Sequence, residues 1–417
     1  MTLGAMLVLA IAGGSPALAK KVTPAGPPVE MSDAFRADLA AARAALQAGD
    51  VSTAAGRVSA LTPTTDFEVY AAAAMRFELA TRRRDVQAQR IALTDMFKSS
   101  AVPRGDAPRL RFMAAYYSYV VGNYDDTLAQ LGYAKTLGYK GIDATLLSAD
   151  TYLRKNQPKA ARPFVQAALA QRKASGEAVP LAWYDRAISM AYQAGDWTEV
   201  GQLYRERLAI DPSTGAWRSA LANFLADAEL DSQAQLDLYR LQAANGAMAS
   251  ERDYQAYASL AEKTRYDAET KAVIEAGRKN GKLIPTQAVT AKLMQTVTPK
   301  AVKEIAGLPA QAKKAAAASN GKEALALGDT YMSLAQYPQA VEQYRLALTK
   351  GGVDADRANS RLGVALARSG DLASARQTLS QVSGRWANVA GFWLVWVDQQ
   401  SRKAAARAEP AQPRKDG

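Results

Sequence analysis

Residues 320–381 read NGKEALALGDTYMSLAQYPQAVEQYRLALTKGGVDADRANSRLGVALARSGDLASARQTLSQ. Laid over itself at an offset of 35 residues, the stretch puts Leu327-Gly328 on Leu362-Gly363, Tyr331 on Leu366, Tyr337 on Leu372, Ala340 on Ala375 and Tyr344 on Leu379. Each copy divides into two apolar-periodic runs joined by a short turn. That is the pattern of stacked helical hairpins, since one hairpin cannot bury its own apolar face and needs a neighbour to cover it. Gly328 and Gly363 cost helix propensity, so they mark places where the first helix (A) and second helix (B) of a hairpin come close together.

The turn recurs upstream. Six hairpins share it: Ala48-Gly49-Asp50-Val51, Val121-Gly122-Asn123-Tyr124, Lys155-Asn156-Gln157-Pro158, Ala194-Gly195-Asp196-Trp197, Leu334-Ala335-Gln336-Tyr337 and Ser369-Gly370-Asp371-Leu372. In four of them Gly ends helix A, where a left-handed residue needs no Cβ, and Asn156 adopts that conformation with less strain than most residues. Ala335 departs from the rule, which predicts a different closure for its turn. Three residues after the last position of each turn stands Ala54, Thr127, Ala161, Val200, Ala340 or Ala375, and four further on Val58, Leu131, Val165, Tyr204, Tyr344 or Leu379. That pair puts a small and a large residue on one face of helix B. Nine residues before, helix A presents Ala42, Ala115, Ala149, Ile188, Gly328 or Gly363. Further hairpins are expected after Pro212, with Phe224-Leu225 and then Leu236, Leu238 and Tyr239, and from Tyr254-Tyr257-Leu260 to Ala272-Ile274.

Leu327-Gly328, Tyr331, Ala340 and Tyr344 resemble the tetratricopeptide repeat pattern of Leu-Gly, Tyr and a small residue followed by an aromatic in helix B. The second copy carries Leu366, Leu372 and Leu379 in place of the aromatics. The resemblance implies an all-α, right-handed α-solenoid of stacked antiparallel helical hairpins, whose concave surface, lined mainly by A helices, holds a peptide or helix of a partner. A-helix positions placed to line such a groove are Arg111, Tyr116, Tyr119, Asp185, Ser189, Arg218 and Asn223. Tyr, Arg and Asn make an adaptable contact set, though Tyr is also ordinary packing in such hairpins. The family's two-carboxylate clamp, built from Lys, Asn and Arg at set places, is not assembled here, so recognition of a chaperone's C-terminal tail is not expected.

The chain has 417 residues, no Cys and no His. Thiol nucleophiles, imidazole bases, disulfides and nearly all zinc chemistry are thereby removed. Residues 1–19 combine an apolar core at 3–12, a Gly-Gly-Ser-Pro breaker and Ala17-Leu18-Ala19 before Lys20, the shape of a cleaved secretory signal. The expected order is then a Pro-containing linker at 20–31, an N-terminal helical array at 32–277, a basic irregular connector at 278–319, a C-terminal pair with a capping helix at 320–400 and a disordered tail at 401–417. No later stretch is apolar and long enough to span a bilayer. Export implies a periplasmic protein, soluble or peripheral to the envelope.

Residues 278–314 carry eight Lys or Arg against Glu304 alone, within a chain of formal net charge +12. Pro285, Pro299 and Pro309 are expected to chop this part into short helices, with Glu304 paired to Lys300 or Lys303. Two readings stand for it: a connector, or a basic patch for an anionic envelope component. Past the last repeat, Trp386, Val389, Ala390, Trp393 and Val397 form a helical stripe suited to capping the array. Phe392 and Trp396 widen it and are candidates for partner contact.

Nothing in the chain assembles a catalytic set. Hydroxyls abound without a supporting base, and Asp125-Asp126 follows a turn, where acids favourably meet a helix N-terminus. No cofactor is expected and no phosphate loop occurs. Nucleic acid is not expected as a partner, because export and the lack of interleaved aromatic and basic residues on a strand platform both oppose it. The function expected is a non-catalytic binding scaffold of the bacterial cell envelope with a protein or peptide partner. The competing expectation is the helical platform of a cell-wall or polysaccharide-processing enzyme, or of an export complex.

Overall fold

A computed structural model describes residues 30–227 and 229–408; the expected signal, most of the linker and the last nine residues lie outside it. The chain divides into two compact units, residues 1–157 and 158–417. The first holds α1 (Asp33–Gln47), α2 (Val51–Ala60), α3 (Asp66–Arg83), α4 (Val86–Met96), α5 (Ala107–Val120), α6 (Tyr124–Thr136) and α7 (Ile142–Arg154). The second runs from α8 (Pro158–Ala174) through α9 (Leu181–Gln193), α10 (Trp197–Ile210), α11 (Thr214–Phe224), α12 (Ser232–Ala244), α13 (Glu251–Lys263) and α14 (Asp267–Lys279). It continues with α15 (Ala288–Ala306), α16 (Leu308–Ala317), α17 (Lys322–Ser333), α18 (Tyr337–Lys350), α19 (Ala355–Ser369), α20 (Leu372–Ser380) and α21 (Ala387–Ala408). No strand occurs among the described residues. The fold is an all-α stack of antiparallel hairpins.

Val51, Tyr124, Pro158, Trp197, Tyr337 and Leu372 each begin a B helix, as the spacing predicts. The small positions Ala54, Thr127, Ala161, Val200, Ala340 and Ala375 are all completely buried, and so are the large ones four residues on, to within a few percent. At Gly328 an added Cβ would stand 2.7 Å from the Tyr344 ring, and at Gly363 2.5 Å from Leu379. These two glycines are where helix A touches helix B.

The turns correct one expectation. Ala335 does not close differently: its φ is 56°, in the same left-handed region as Gly49, Gly122, Asn156, Gly195 and Gly370. The amide of Gln336 donates to the Tyr331 carbonyl at 2.9 Å, matching Asp50 to Ala45 at 3.0 Å and Asp371 to Leu366 at 3.0 Å. Arg84 (φ 56°) and Arg265 (φ 69°) do the same between α3 and α4 and between α13 and α14. The run Arg82-Arg83-Arg84 is therefore the end of a helix A, where cations meet the negative end of the helix dipole. A left-handed alanine costs about 1–2 kcal/mol, which glycine avoids. Ala335→Gly should accordingly stabilise the second unit by about 1 kcal/mol, against the usual loss for glycine. A urea midpoint at or below that of the wild type would refute this.

Glu68 ties the entry of the first unit together. Its carboxylate accepts from the Ser32 amide (2.7 Å) and hydroxyl (2.8 Å) and from the Thr64 amide (2.6 Å) and hydroxyl (2.7 Å). The Thr64 amide, helped by Ser32 and opposed by burial, lowers its pKa from the ordinary 4.5 to about 2. A depressed pKa means stabilisation that is complete above pH 4.5 and lost as pH falls towards 2. Helix content followed by circular dichroism should thus fall with a shallower acid dependence in Glu68→Gln than in the wild type. Superimposable acid curves would contradict the role given to Glu68. Met31, expected in a free linker, packs on the core formed by Phe35, Leu39 and Leu46.

The basic stretch is more regular than expected. Pro299 lies inside the 19-residue α15 and does not break it. Pro299 is on the exposed side, where water can serve the carbonyl left without a donor, and buried Val297 and Ala301 flank it. Glu304 does not pair with Lys300 or Lys303; it accepts from the Ala268 amide at 2.8 Å and so caps α14, against which α15 packs. Leu283 enters the core beside Tyr254 and Ile274.

The second unit closes on itself. α21 runs on through residues 401–408, expected as disordered, and packs against α10 and α12 as well as α19 and α20. Trp386, Val389, Ala390, Trp393 and Val397 are buried, as the stripe predicts. At Gly391 an added Cβ would sit 2.8 Å from Arg205 Cδ, so α10 and α21 lie in close contact. Across this closure Arg205 donates to Asn388 (2.7 Å), Trp217 to the Gln399 side chain (3.0 Å) and Gln399 to the Leu208 carbonyl (3.0 Å). Beneath lies a buried ion cluster. Arg361, fully buried, meets Asp237 at 3.1 Å and also pairs with Asp329, while Arg357 meets Asp329 at 2.6 Å. Arg240 holds Glu269 with two bonds of 2.7 and 2.8 Å and Asp237 with one of 2.8 Å. Burial opposes the Arg361 charge, but Asp237 and Asp329 outweigh it and raise its pKa. Three arginines face three carboxylates. The hairpins at 320–400 are thereby joined to those before 278 in one unit, and the division of the chain falls at residue 157.

Candidate partner-binding site

Phe112, Tyr116, Tyr119 and Val120 fall within about 100° on one face of α5 at the 3.6-residue pitch of a helix. Tyr116 is 37% and Val120 49% exposed. Their backing is fixed: the Tyr116 ring meets Tyr117 edge-on at 5.6 Å, and Tyr117 meets Phe77 of α3 at 6.0 Å. Phe112 stacks on Tyr139 at 4.8 Å with the planes 7° apart. The Tyr139 hydroxyl donates to Asp143 at 2.9 Å, and burial followed by that carboxylate raises its pKa, so it stays a donor. Arg154 of α7 donates to the Tyr119 hydroxyl at 3.4 Å, so the face continues from one A helix to the next. The result is an aromatic surface with a cation at one edge and little freedom to rearrange.

Arg111, expected to line this face, points elsewhere. Its guanidinium lies 3.6 Å from the centre of the Phe97 ring and 4.8 Å from that of Tyr133, and it donates to Gln130 at 2.8 Å. Burial lowers its pKa. Of the first unit's three candidates the structure therefore brings together Tyr116 and Tyr119. Phe112, Val120 and Arg154 were missed, although the spacing 112, 116, 119, 120 is visible in the sequence.

The candidates in the second unit are mostly engaged. Asp185 and Ser189 share an exposed face of α9, but Asp185 accepts from Arg207 at 2.7 Å. Arg218 pairs with Asp253 at 3.5 Å, and Asn223 donates to the Tyr204 hydroxyl at 2.7 Å. Phe392 and Trp396 are not available at all. Phe392 is fully buried against Phe224 at 5.1 Å, and Trp396 is buried against Trp393 at 5.6 Å. Their width in the stripe serves the return of α21 onto α10 and α12. In a cleft at Lys322, Asp354, Arg357 and Arg385 both arginines sit on acids of the same cleft, Arg357 2.6 Å from Asp329 and Arg385 3.1 Å from Asp354.

No protein-family model and no curated protein matches the chain. Solved structures do: the chain is similar to one from the crystal structure of the APC/C hetero-tetramer Cut9–Hcn1, at 13% identity over 91% of this chain and 86% of that one, TM-score 0.24. It is also similar to the maize pentatricopeptide repeat protein PPR10, at 15% identity over 91% of this chain and 60% of that one, TM-score 0.31. A third is the TPR2AB-domain–pHSP90 complex of yeast Sti1, at 16% identity over 72% of this chain and 99% of that one, TM-score 0.20.

Proposed function

We propose that the chain is a non-catalytic scaffold of the bacterial cell envelope, which holds a peptide or helix of a protein partner against the α5 face of its first unit. The observation that carries this reading is exposed Tyr116 and Val120 on one face of α5, with the Tyr116 ring backed by Tyr117 and Phe77. Aromatic side chains held in place bind at low entropic cost and dominate interface energetics. The envelope part rests on the leader-like residues 1–19; the protein recovered from periplasm should start at Lys20, and a start at Met1 would remove that part.

The binding part is tested with a partner captured on the full chain, purified and titrated. Tyr116→Ala with Val120→Ser should weaken its binding about 30-fold, the scale of a hot-spot residue. Both side chains are exposed, so the fold should change by no more than about 0.5 kcal/mol. Unchanged affinity in this variant would refute the assignment of the face.

A further inference from the structure

A second surface, independent of the α5 face, lies on α15. Ile284, in the loop just before α15, and Val302 are 64% exposed and Val289 60%, more than the other large apolar side chains described. On an ideal helix Lys292, Lys300 and Lys303 fall within about 80° of one another, with Val289 among them and Val302 about 80° to one side of Lys292. All three lysines are exposed, and none forms an ion pair among the described residues. Among the acids nearby, Glu304 turns inward to cap α14, Glu251 accepts from Gln255 and Gln287, and Glu323 pairs with Lys314, so none of them is bonded to these lysines. The outer face of α15 thus carries unpaired lysines and bare aliphatic side chains together.

We propose that this face rests on the surface of an anionic lipid bilayer. Lysine attracts anionic head groups while its stem and the neighbouring valines settle at the boundary with the acyl chains. An acidic protein is the less favoured occupant. Protein interfaces are enriched in aromatic side chains and Arg and depleted of Lys, whereas residues 278–314 contain no aromatic residue and their α15 face is lysine and aliphatic. The helix lies on the surface and does not insert, because among the described residues no helix is long and apolar enough to cross a membrane.

The test is sedimentation of the full chain with vesicles of phosphatidylcholine alone, or with an equal part of phosphatidylglycerol. Binding is expected to the anionic vesicles only, and to weaken with added salt. Each lysine near such a surface contributes about fivefold, so Lys292→Gln, Lys300→Gln and Lys303→Gln combined should weaken partition about 100-fold. Val289→Ser with Val302→Ser should weaken it several-fold, and both variants should keep the wild-type urea midpoint. Equal binding to neutral vesicles would overturn the proposal, as would a triple variant that binds like the wild type. Binding to polyglutamate without binding to vesicles would overturn it in favour of an acidic protein.

Discussion

Arg361→Ala is expected to lower the stability of the second unit by about 3–5 kcal/mol, because it takes away the fully buried cation shared by Asp237 and Asp329 and leaves three buried carboxylates to Arg240 and Arg357 alone. Asp237 lies on α12 and Arg361 on α19, 124 residues apart, so the loss falls on the closure of the unit and on no single hairpin. All six tryptophans lie between Trp183 and Trp396, so tryptophan fluorescence in urea reports this unit alone. Replacing one buried pair by apolar groups, as Arg361→Met with Asp237→Leu, leaves Arg357 on Asp329 and Arg240 on Glu269 and should recover most of the loss. Removing a buried pair whole is close to neutral where removing half of it is not. A single variant within about 1 kcal/mol of wild type would mean that water reaches the cluster and that the closure is not a dry contact.

Trp393→Ala is the second large effect, expected at about 3–5 kcal/mol for a fully buried aromatic. Its ring lies beside Trp396, and its Nε1 donates to the Asp237 carbonyl at 3.2 Å. The variant should also free α21 from α10 and α12, so limited proteolysis should cut at residues 381–386, between α20 and α21. Unchanged cleavage together with a small loss of stability would show that α21 is held by its other contacts. Tyr116→Ala offers the contrast: an aromatic of similar size on an exposed face, expected within about 0.5 kcal/mol of wild type.

Local signals in the sequence carried most of the fold. Gly328 and Gly363 announce close helix approach, and the small-then-large pair of helix B marks buried positions that the structure fills without exception. Where glycine is missing from the turn the signal weakens, because Arg84, Arg265 and Ala335 take the left-handed conformation against their own preference. Their hairpins are imposed by packing on either side. Pro299 shows the same: a residue that favours a break is carried within a helix whose neighbouring turns are anchored.

Long-range features were not legible. No spacing relates Arg361 to Asp237, or Asn388 to Arg205, 183 residues away. Phe392 and Trp396 read as surplus on a capping helix because a cap needs one neighbour, and α21 has several. On the α5 face, Tyr116 and Tyr119 share a side as their place on an A helix leads one to expect. Arg111 turns away from that face because a single step along a helix, from Phe112 to Arg111, rotates the side chain by about 100°.

Partner contact is proposed for the α5 face, whereas Phe392 and Trp396 are buried under the packing of α21. Site-specific photo-crosslinking tests both halves at once, with p-azidophenylalanine placed at Tyr116 in one full-length protein and at Phe392 in another. With the purified partner present, an adduct is predicted from position 116 and none from position 392. An adduct from position 392, or none from 116, would contradict it.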